Sequence, residues 1–490
     1  MSKNIVVCSD GTGNSAIKGR GTNVFKLYEA VDLHGHEQNP DLARQVAFYD
    51  DGVGTERFKP LQLLGGAFGL GLSRNIRQLY ADLVRTFEPG DQIYLFGFSR
   101  GAYTVRALAG LITTCGVLDA GKFSNDDDLK AAVRRAYCEY RRKYRTTLGR
   151  YVRRPYTAES AHEFRERESA REVSIKFIGV WDTVDAVGLP DDVAAPINVL
   201  VYRFQFPDLK LSPLVERACQ ALSIDDERRT FHPVMWNEEG ETTGRIEQVW
   251  FAGVHANVGG GYPKQGMSLV ALNWMMTKAE AAGLRFLKGD RNEYHEHNNV
   301  TDKLYNSRAG LAVYYRYTPR DIAAMCRVHH TTPRIHVSAV ERIAQATEGY
   351  APGNIPTTDT VEVTDNGGAS VVPASQTLRG ALGGQASLLK QVRPWVRFRT
   401  YAHYLFLLFS VLCIVGAGAI VGPAGILEEL SSWSGRMKLI WALLSTRWAV
   451  GLLVPVLVFW MLGVWASRRM NRCFSNAWRD MLPRLRKTLH

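Results

Sequence analysis

The sequence predicts an α/β protein with a mostly parallel sheet and helical insertions, followed by a C-terminal pair of membrane-crossing helices. Three observations predict it. Apolar runs of strand length alternate with helix-length segments from Ile5 to about Val258, as parallel sheets require. One such run, Gln92 to Phe96, leads through Gly97-Phe98-Ser99-Arg100-Gly101 into a helical stretch, Ala102 to Leu111. Two long uncharged runs close the chain, Thr400 to Leu427 and Trp448 to Ser467.

In chain order, Ile5 to Cys8 reads as a short strand, and Ser9-Asp10-Gly11-Thr12-Gly13-Asn14 as the loop after it. Thr22 and Asn23 can cap a helix through Phe25, Leu27, Tyr28 and Val31. Val46 to Tyr49 is a second strand. The glycine-rich stretch Gly65 to Gly71 is expected to be flexible and to line the site. Its order is not that of a dinucleotide loop, so a nucleotide reading is rejected and no cofactor is expected.

The pattern G-x-S-x-G between a strand and a helix forms a nucleophile elbow. Gly97 and Gly101 remove side chains where the turn is too sharp for a Cβ. Ser99 then stands exposed at the apex as the candidate nucleophile. Its partners should follow in the order acid, then histidine. The strand Ser174 to Trp181 ends in Asp182-Thr183-Val184-Asp185, and the strand Gln248 to Val254 ends in His255. His255 is the candidate base and Asp182 the candidate acid, with Asp185 and Asp226 as alternatives. His232, His295 and His297 are weaker candidates for the base. The oxyanion donors expected are the Arg100 N–H and the backbone around Gly11 and Thr12. A phosphatase reading of the Asp10 loop fails, because Cys8 occupies the position of the required aspartate. A divalent ion on Asp10 and Asp182 is a minor alternative, and no metal is assigned.

These stretches, with Thr22-Asn23-Val24, Asp51 to Thr55, Asp226 to Arg229 and Trp250 to Tyr262, carry a resemblance over roughly residues 1 to 360. The chain resembles the catalytic domain of bacterial α/β-hydrolases typified by type VI secretion phospholipase effectors. The resemblance implies an α/β-hydrolase-like fold and ester hydrolysis of phospholipids. One departure stands out: the family often has an acid two residues after the histidine, where this chain has Asn257.

Between the elbow helix and the Asp182 strand lies a charged helical insertion, about residues 120–171. Its arginines and lysines alternate with Tyr137, Tyr140, Tyr144 and Tyr151, which reads as a lid or an interfacial surface for phosphate headgroups. Leu269 to Met276 should form a helix behind the histidine loop. Thr357 to about Gly384 reads as an exposed linker.

Each C-terminal run supplies the roughly 20 apolar residues that span a bilayer core. Gly418 and Gly422 form a small-residue pair suited to close helix packing. Basic residues flank both outer ends, whereas the loop between the runs is nearly balanced. The positive-inside rule then puts the catalytic domain and the C-terminus in the cytoplasm, at a bacterial inner membrane. The expected organisation is a catalytic domain over 1–358, a juxtamembrane linker over 359–399, the helix pair over 400–467 and a basic tail over 468–490. Removing everything from about Trp395 is expected to leave a soluble catalytic domain.

The net charge of +12 implies an anionic partner. No nucleic-acid motif is present, so anionic lipid headgroups are expected rather than nucleic acid. Seven scattered cysteines argue against zinc or a disulfide framework. The sequence therefore predicts a membrane-anchored serine hydrolase of phospholipid esters. An inhibitory or activating protein partner and a homo-oligomer are compatible with it. The alternatives are an esterase or peptidase with a soluble substrate, and a non-enzymatic membrane scaffold or pore.

Overall fold

Among the described residues, eight strands form one sheet in the order β2-β1-β3-β4-β5-β6-β7-β8, and every neighbouring pair is parallel. They are β1 (Lys3–Ser9), β2 (Arg44–Asp50), β3 (Gln92–Phe98), β4 (Phe177–Trp181), β5 (Ala218–Ser223), β6 (Ile246–Phe251), β7 (Arg334–His336) and β8 (Glu362–Thr364). The computed structural model describes residues 2–11, 21–52, 67–144, 156–168, 170–185, 206, 209–357, 360–380, 387–421, 435 and 447–489.

The central strands are buried on both faces, which is why β3 and β4 read as continuous apolar runs. Alternate residues sort into two cores. Ile5, Val7, Ile93, Leu95, Ile178 and Val180 face one layer, with helices Ala67–Thr86, Arg100–Cys115 and Asp126–Arg141. Val6, Cys8, Tyr94, Phe96, Phe177 and Trp181 face the other, with Asn23–Ala30 and Gly266–Ala281. The last helix is buried almost all round, as expected of a segment packed behind the His255 loop.

The strand order reverses between β1 and β3. In open parallel sheets such a switch point opens a crevice at the strands' C-terminal ends. Asp10, Ser99, Asp182 and His255 all follow strands at that edge.

Several expectations change. The stretch expected as an exposed linker supplies β8 and the helix Val372–Gly380, whose Ala374 and Leu378 are buried. Tyr137, Tyr140 and Tyr144 do not face outward. They pack into the core beside the elbow helix, where a Cβ at Gly110 would meet the Tyr140 hydroxyl at 2.7 Å. Arg150, Tyr151, Arg153 and Arg154 lie outside the described residues, as do Gly422, Gly65 and Gly66. The end of that stretch, from Ala67, belongs to a helix.

Among the described residues, two helices are long and apolar enough to cross a membrane, Arg393–Gly416 within Arg393–Val421 and Gly451–Arg479 within Arg447–Arg479. They pack along one another, with Phe409 stacked on Phe459 at 5.7 Å and Trp395 edge-on to Trp465 at 5.1 Å.

The tail beyond them is not a free basic extension. Phe474, Trp478, Met481 and Leu485 are buried in the core around β7 and β8. The Trp478 indole donates to the Pro352 carbonyl at 2.8 Å, and the Phe474 ring occupies the space a Cβ at Gly353 would need. Cutting at Trp395 therefore removes part of the core, so release of an intact soluble domain is not expected. Trp478→Ala is expected to cost about 3–5 kcal/mol through the cavity it leaves. Thermal unfolding of the full chain in detergent measures this, and an unchanged midpoint would show that the tail does not belong to the folding unit.

Candidate active site

The turn after β3 is shaped by what cannot fit there. A Cβ at Gly97 would lie 2.6 Å from the Gly101 carbonyl, and one at Gly101 would lie 2.1 Å from the Ser9 carbonyl. Both contacts are impossible, so both positions must be glycine. Ser99 between them has φ 58 and ψ −120, a backbone conformation that costs roughly 1–3 kcal/mol and persists only when its surroundings enforce it. The enforcing bonds are present. The Ser99 N–H donates to the Trp181 carbonyl at 3.0 Å, and its carbonyl accepts from Tyr103 at 3.3 Å and Val184 at 3.4 Å.

Phe98 pairs with Trp181 across the β3–β4 ladder, so Ser99 and Asp182 emerge side by side. Asp182 also has positive φ, at 41, and is fully buried. Five donors converge on its carboxylate. Arg320 makes a two-pronged contact at 2.7 and 2.9 Å. The Ser223 N–H and hydroxyl donate at 3.0 and 3.1 Å. The His255 Nδ1 lies 2.6 Å from Oδ2. Burial alone would raise the carboxyl's pKa. The Arg320 charge and the hydrogen bonds from His255 and Arg320 outweigh it and hold the group well below the ordinary carboxylate range.

The His255 ring is 5 % exposed and lies between the Phe98 ring at 4.6 Å and the Phe231 ring at 5.0 Å. With Nδ1–H committed to Asp182, Nε2 is the basic nitrogen. Among the described residues it has no hydrogen-bond partner, although it is buried. Burial lowers the imidazole's pKa below its ordinary value against the opposing pull of Asp182, so the ring is neutral at neutral pH.

The alternative acids sit elsewhere. Asp226 accepts the backbone N–H of His255 at 3.2 Å and three bonds from Arg228, so it holds the histidine loop rather than the ring. Asp185 lies beyond Asp182 on the same loop, and Nδ1 faces Asp182. His232 is bonded to the Thr318 carbonyl, and His295 and His297 belong to the Lys288–Glu296 helix and its end. Asn257 braces the loop through Lys303 and Tyr305 at 3.1 and 3.2 Å.

The loop after β1 is organised by Asp10. Its carboxylate accepts from Thr22 at 2.5 Å, Tyr49 at 2.8 Å and the Gly11 N–H at 2.6 Å. The Gly11 N–H is therefore engaged. Thr12 lies outside the described residues. Asp10 and Asp182 are each occupied by protein donors. Among the described residues, no group of three His, Cys, Asp or Glu side chains could hold a metal ion.

Sequence reasoning missed Arg320 and Ser223, which clamp Asp182, and Phe231, which flanks His255. No local signal marks Arg320, whose partner lies 138 positions away.

Residues 3–278 match the family described as "T6SS, Phospholipase effector Tle1-like, catalytic domain". The chain belongs to this family. The region shared with the family spans β1 to β6 and contains Ser99, Asp182 and His255. A curated relative, "Uncharacterized protein YEL023C" of Saccharomyces cerevisiae, is 32% identical over 243 residues, 47% of this chain. The match spans only 32% of that relative's length. A solved structure of the Tle1 effector bound to the VgrG spike of the type 6 secretion system is 15% identical. It aligns with a TM-score of 0.34 over 64% of this chain and 78% of that one.

Proposed function

We propose that this chain is a serine hydrolase that cleaves ester bonds of phospholipids at a membrane. The observation that carries the reading is the His255 imidazole: Nδ1 is fixed by a buried, ionised Asp182, Nε2 is buried without a partner among the described residues, and the ring packs on Phe98, the neighbour of the strained Ser99. A neutral imidazole held in one tautomer is what a serine nucleophile needs from its base. Membership of a phospholipase effector family supports lipid as the ester.

In this reading the Ser99 hydroxyl attacks the ester carbonyl and His255 Nε2 takes its proton. The tetrahedral oxyanion is held by the Arg100 N–H at the start of the elbow helix. Its second donor comes from the loop after β1, where Thr12 follows the engaged Gly11. Collapse breaks the ester bond, and His255 returns the proton to the leaving alcohol. Water then repeats the sequence on the acyl-serine. Asp182 orients the ring and stabilises its charged form.

The two apolar helices anchor the enzyme in this reading. Their outer ends both join the catalytic core, through Trp395 at one end and Phe474 and Trp478 at the other. A pair anchored this way crosses the bilayer and returns, leaving both ends on the catalytic side. The basic flanks assign that side to the cytoplasm of a bacterial cell. An active lipid hydrolase beside its own membrane needs restraint, so an inhibitory or activating protein partner belongs to the same reading.

Lipid mass spectrometry of cells expressing the wild type or Ser99→Ala tests the function. Lysophospholipid and free fatty acid should accumulate only with the wild type, and equal lipid profiles would refute the lipid substrate. In spheroplasts of the same cells, a cysteine at Ser475 should react with a membrane-impermeant maleimide only after lysis. Labelling before lysis would reverse the orientation.

A further inference from the structure

Beside the helix pair lies a cavity of about 390 Å³ whose lining does not include Ser99. That volume falls within the range of small-molecule sites, about 300–1,000 Å³. Arg308, Arg399 and His403 line one part of it, and Phe406, Phe459 and Val464 of the paired helices line the other.

The polar part offers donors. Arg308 Nη2 donates to the carbonyls of Val313 and Tyr315 at 2.9 and 3.1 Å and approaches His403 Nδ1 at 3.3 Å. Arginine cannot accept, so His403 Nδ1 is the acceptor and its Nε2 carries the proton. His403 is 6 % exposed. Among the described residues, neither His403 Nε2 nor Arg308 Nε has a hydrogen-bond partner. Two buried N–H donors without acceptors among the described residues can be met by an acceptor entering the cavity. Asn306 also lines the cavity, but its oxygen already accepts the Arg308 N–H at 2.9 Å. Arg399 stacks over Tyr317 at 3.5 Å and is paired with Glu227 at 3.2 and 3.4 Å, so its charge is partly committed. A ligand that meets this lining carries negative charge and accepts hydrogen bonds at one end and is apolar at the other.

The surroundings identify the source. Residues 310–315 form a short turn whose Leu311 is 86 % exposed, with Tyr314 and Tyr315 also exposed. Tyr314 packs on Phe406 of the first apolar helix at 5.2 Å, so the turn lies against the candidate spans. Exposed apolar side chains continue from it along both helices. Such a surface suits a bilayer.

We propose that this cavity binds a bilayer phospholipid, with its phosphodiester on Arg308 and His403 and its acyl chains along Phe406, Phe459 and Val464. The site connects to the catalytic edge. The Tyr315 carbonyl is held by Arg308, the Tyr315 ring packs on Phe231 at 5.5 Å, and Phe231 packs on His255 at 5.0 Å. The cavity is thus linked to the His255 ring through Arg308, Tyr315 and Phe231. In that respect the inference rests on the phospholipid substrate proposed above.

Native mass spectrometry tests it on the full chain carrying Ser99→Ala, released from detergent micelles with added phosphatidylglycerol. One phosphatidylglycerol per chain is expected to be retained. Arg308→Gln should weaken retention by about tenfold or more, the usual scale for losing a charge-assisted bond. Because Arg308 also supports the 310–315 turn, a second variant approaches from the other side. A Cβ at Gly463 meets no atom within 4 Å, so Gly463→Phe can fill the apolar part with the cations intact. It should weaken retention comparably while the melting temperature is preserved. Diacylglycerol, which lacks the phosphate, should not be retained, and inorganic phosphate should not compete. Equal retention by both variants, retention of diacylglycerol, or displacement by inorganic phosphate would each overturn the site. Hydrolysis of a short-chain ester is measured separately on chains with Ser99 intact. Failure of the parent Ser99→Ala chain to retain phosphatidylglycerol while the Ser99-intact chain hydrolyses the short-chain ester overturns this site alone, whereas lipid retention without any hydrolysis overturns the enzyme reading alone.

Discussion

Ser99→Ala and His255→Ala are each expected to lower ester hydrolysis by on the order of 10⁴-fold or more, and the double variant should be little worse than either. The reason is mechanical. Without the hydroxyl there is no atom to acylate. Without the imidazole, the hydroxyl keeps its proton at neutral pH and is a weak nucleophile. The two losses do not add because each removes the same step. Turnover of a short-chain ester by purified full-length protein in detergent measures the effect, with circular dichroism to establish folding. Near-wild-type turnover by folded His255→Ala would move the base elsewhere. The wild-type pH profile carries a matching expectation. Burial keeps His255 below its ordinary 6.5, so the acidic limb of kcat/KM should fall below that pH.

The candidate site was readable from sequence where its residues are neighbours in the chain. Gly97, Ser99 and Gly101 are neighbours in the chain, and the strand before them is long and apolar. The strands leading to Asp182 and His255 are apolar for the same reason, burial on both faces. Strands β7 and β8 were not readable. Each has three residues, Arg334-Ile335-His336 and Glu362-Val363-Thr364, and only pairing with a longer neighbour makes them strands. β5 hid for a different reason: Gln220 and Ser223 interrupt its apolar pattern because both side chains are used in buried hydrogen bonds. The fate of Tyr137 and Tyr140 was written in their spacing. Tyr137 and Tyr140, three apart, share one helix face, and that face is the core; Tyr144 lies just past the helix end and joins it through the Tyr140 hydroxyl. Their arginine-rich surroundings drew the reading toward a surface. Asp226 was readable as important but not in its role, since a backbone bond to His255 leaves no mark in a sequence.

Arg320→Met should produce the second large effect, although Arg320 does not contact His255. Its guanidinium is fully buried and binds both oxygens of Asp182, with further bonds to the Ser223 and Phe231 carbonyls. Removing one partner of a buried ion pair leaves the other charge uncompensated, at a cost of about 3–5 kcal/mol. The folded Asp182 carboxyl sits below its unfolded value of 3.8. Its contribution to stability is therefore complete at neutral pH and is lost only as pH falls through that depressed folded value. In the variant, burial would no longer be opposed by the Arg320 charge, so the carboxyl's pKa would rise. Asp182 would then bind the imidazole less firmly, and turnover should fall roughly 10²-fold or more, approaching the loss that follows a misoriented imidazole. Arg320 is thus a positioning residue, and a purely structural role makes a different prediction. If Arg320 acts through Asp182, the acidic limb of kcat/KM should shift upward, and Arg320→Lys, which restores the charge without the two-pronged geometry, should recover part of the rate. A variant with lowered thermal stability but an unchanged pH profile and rate would confine Arg320 to the fold.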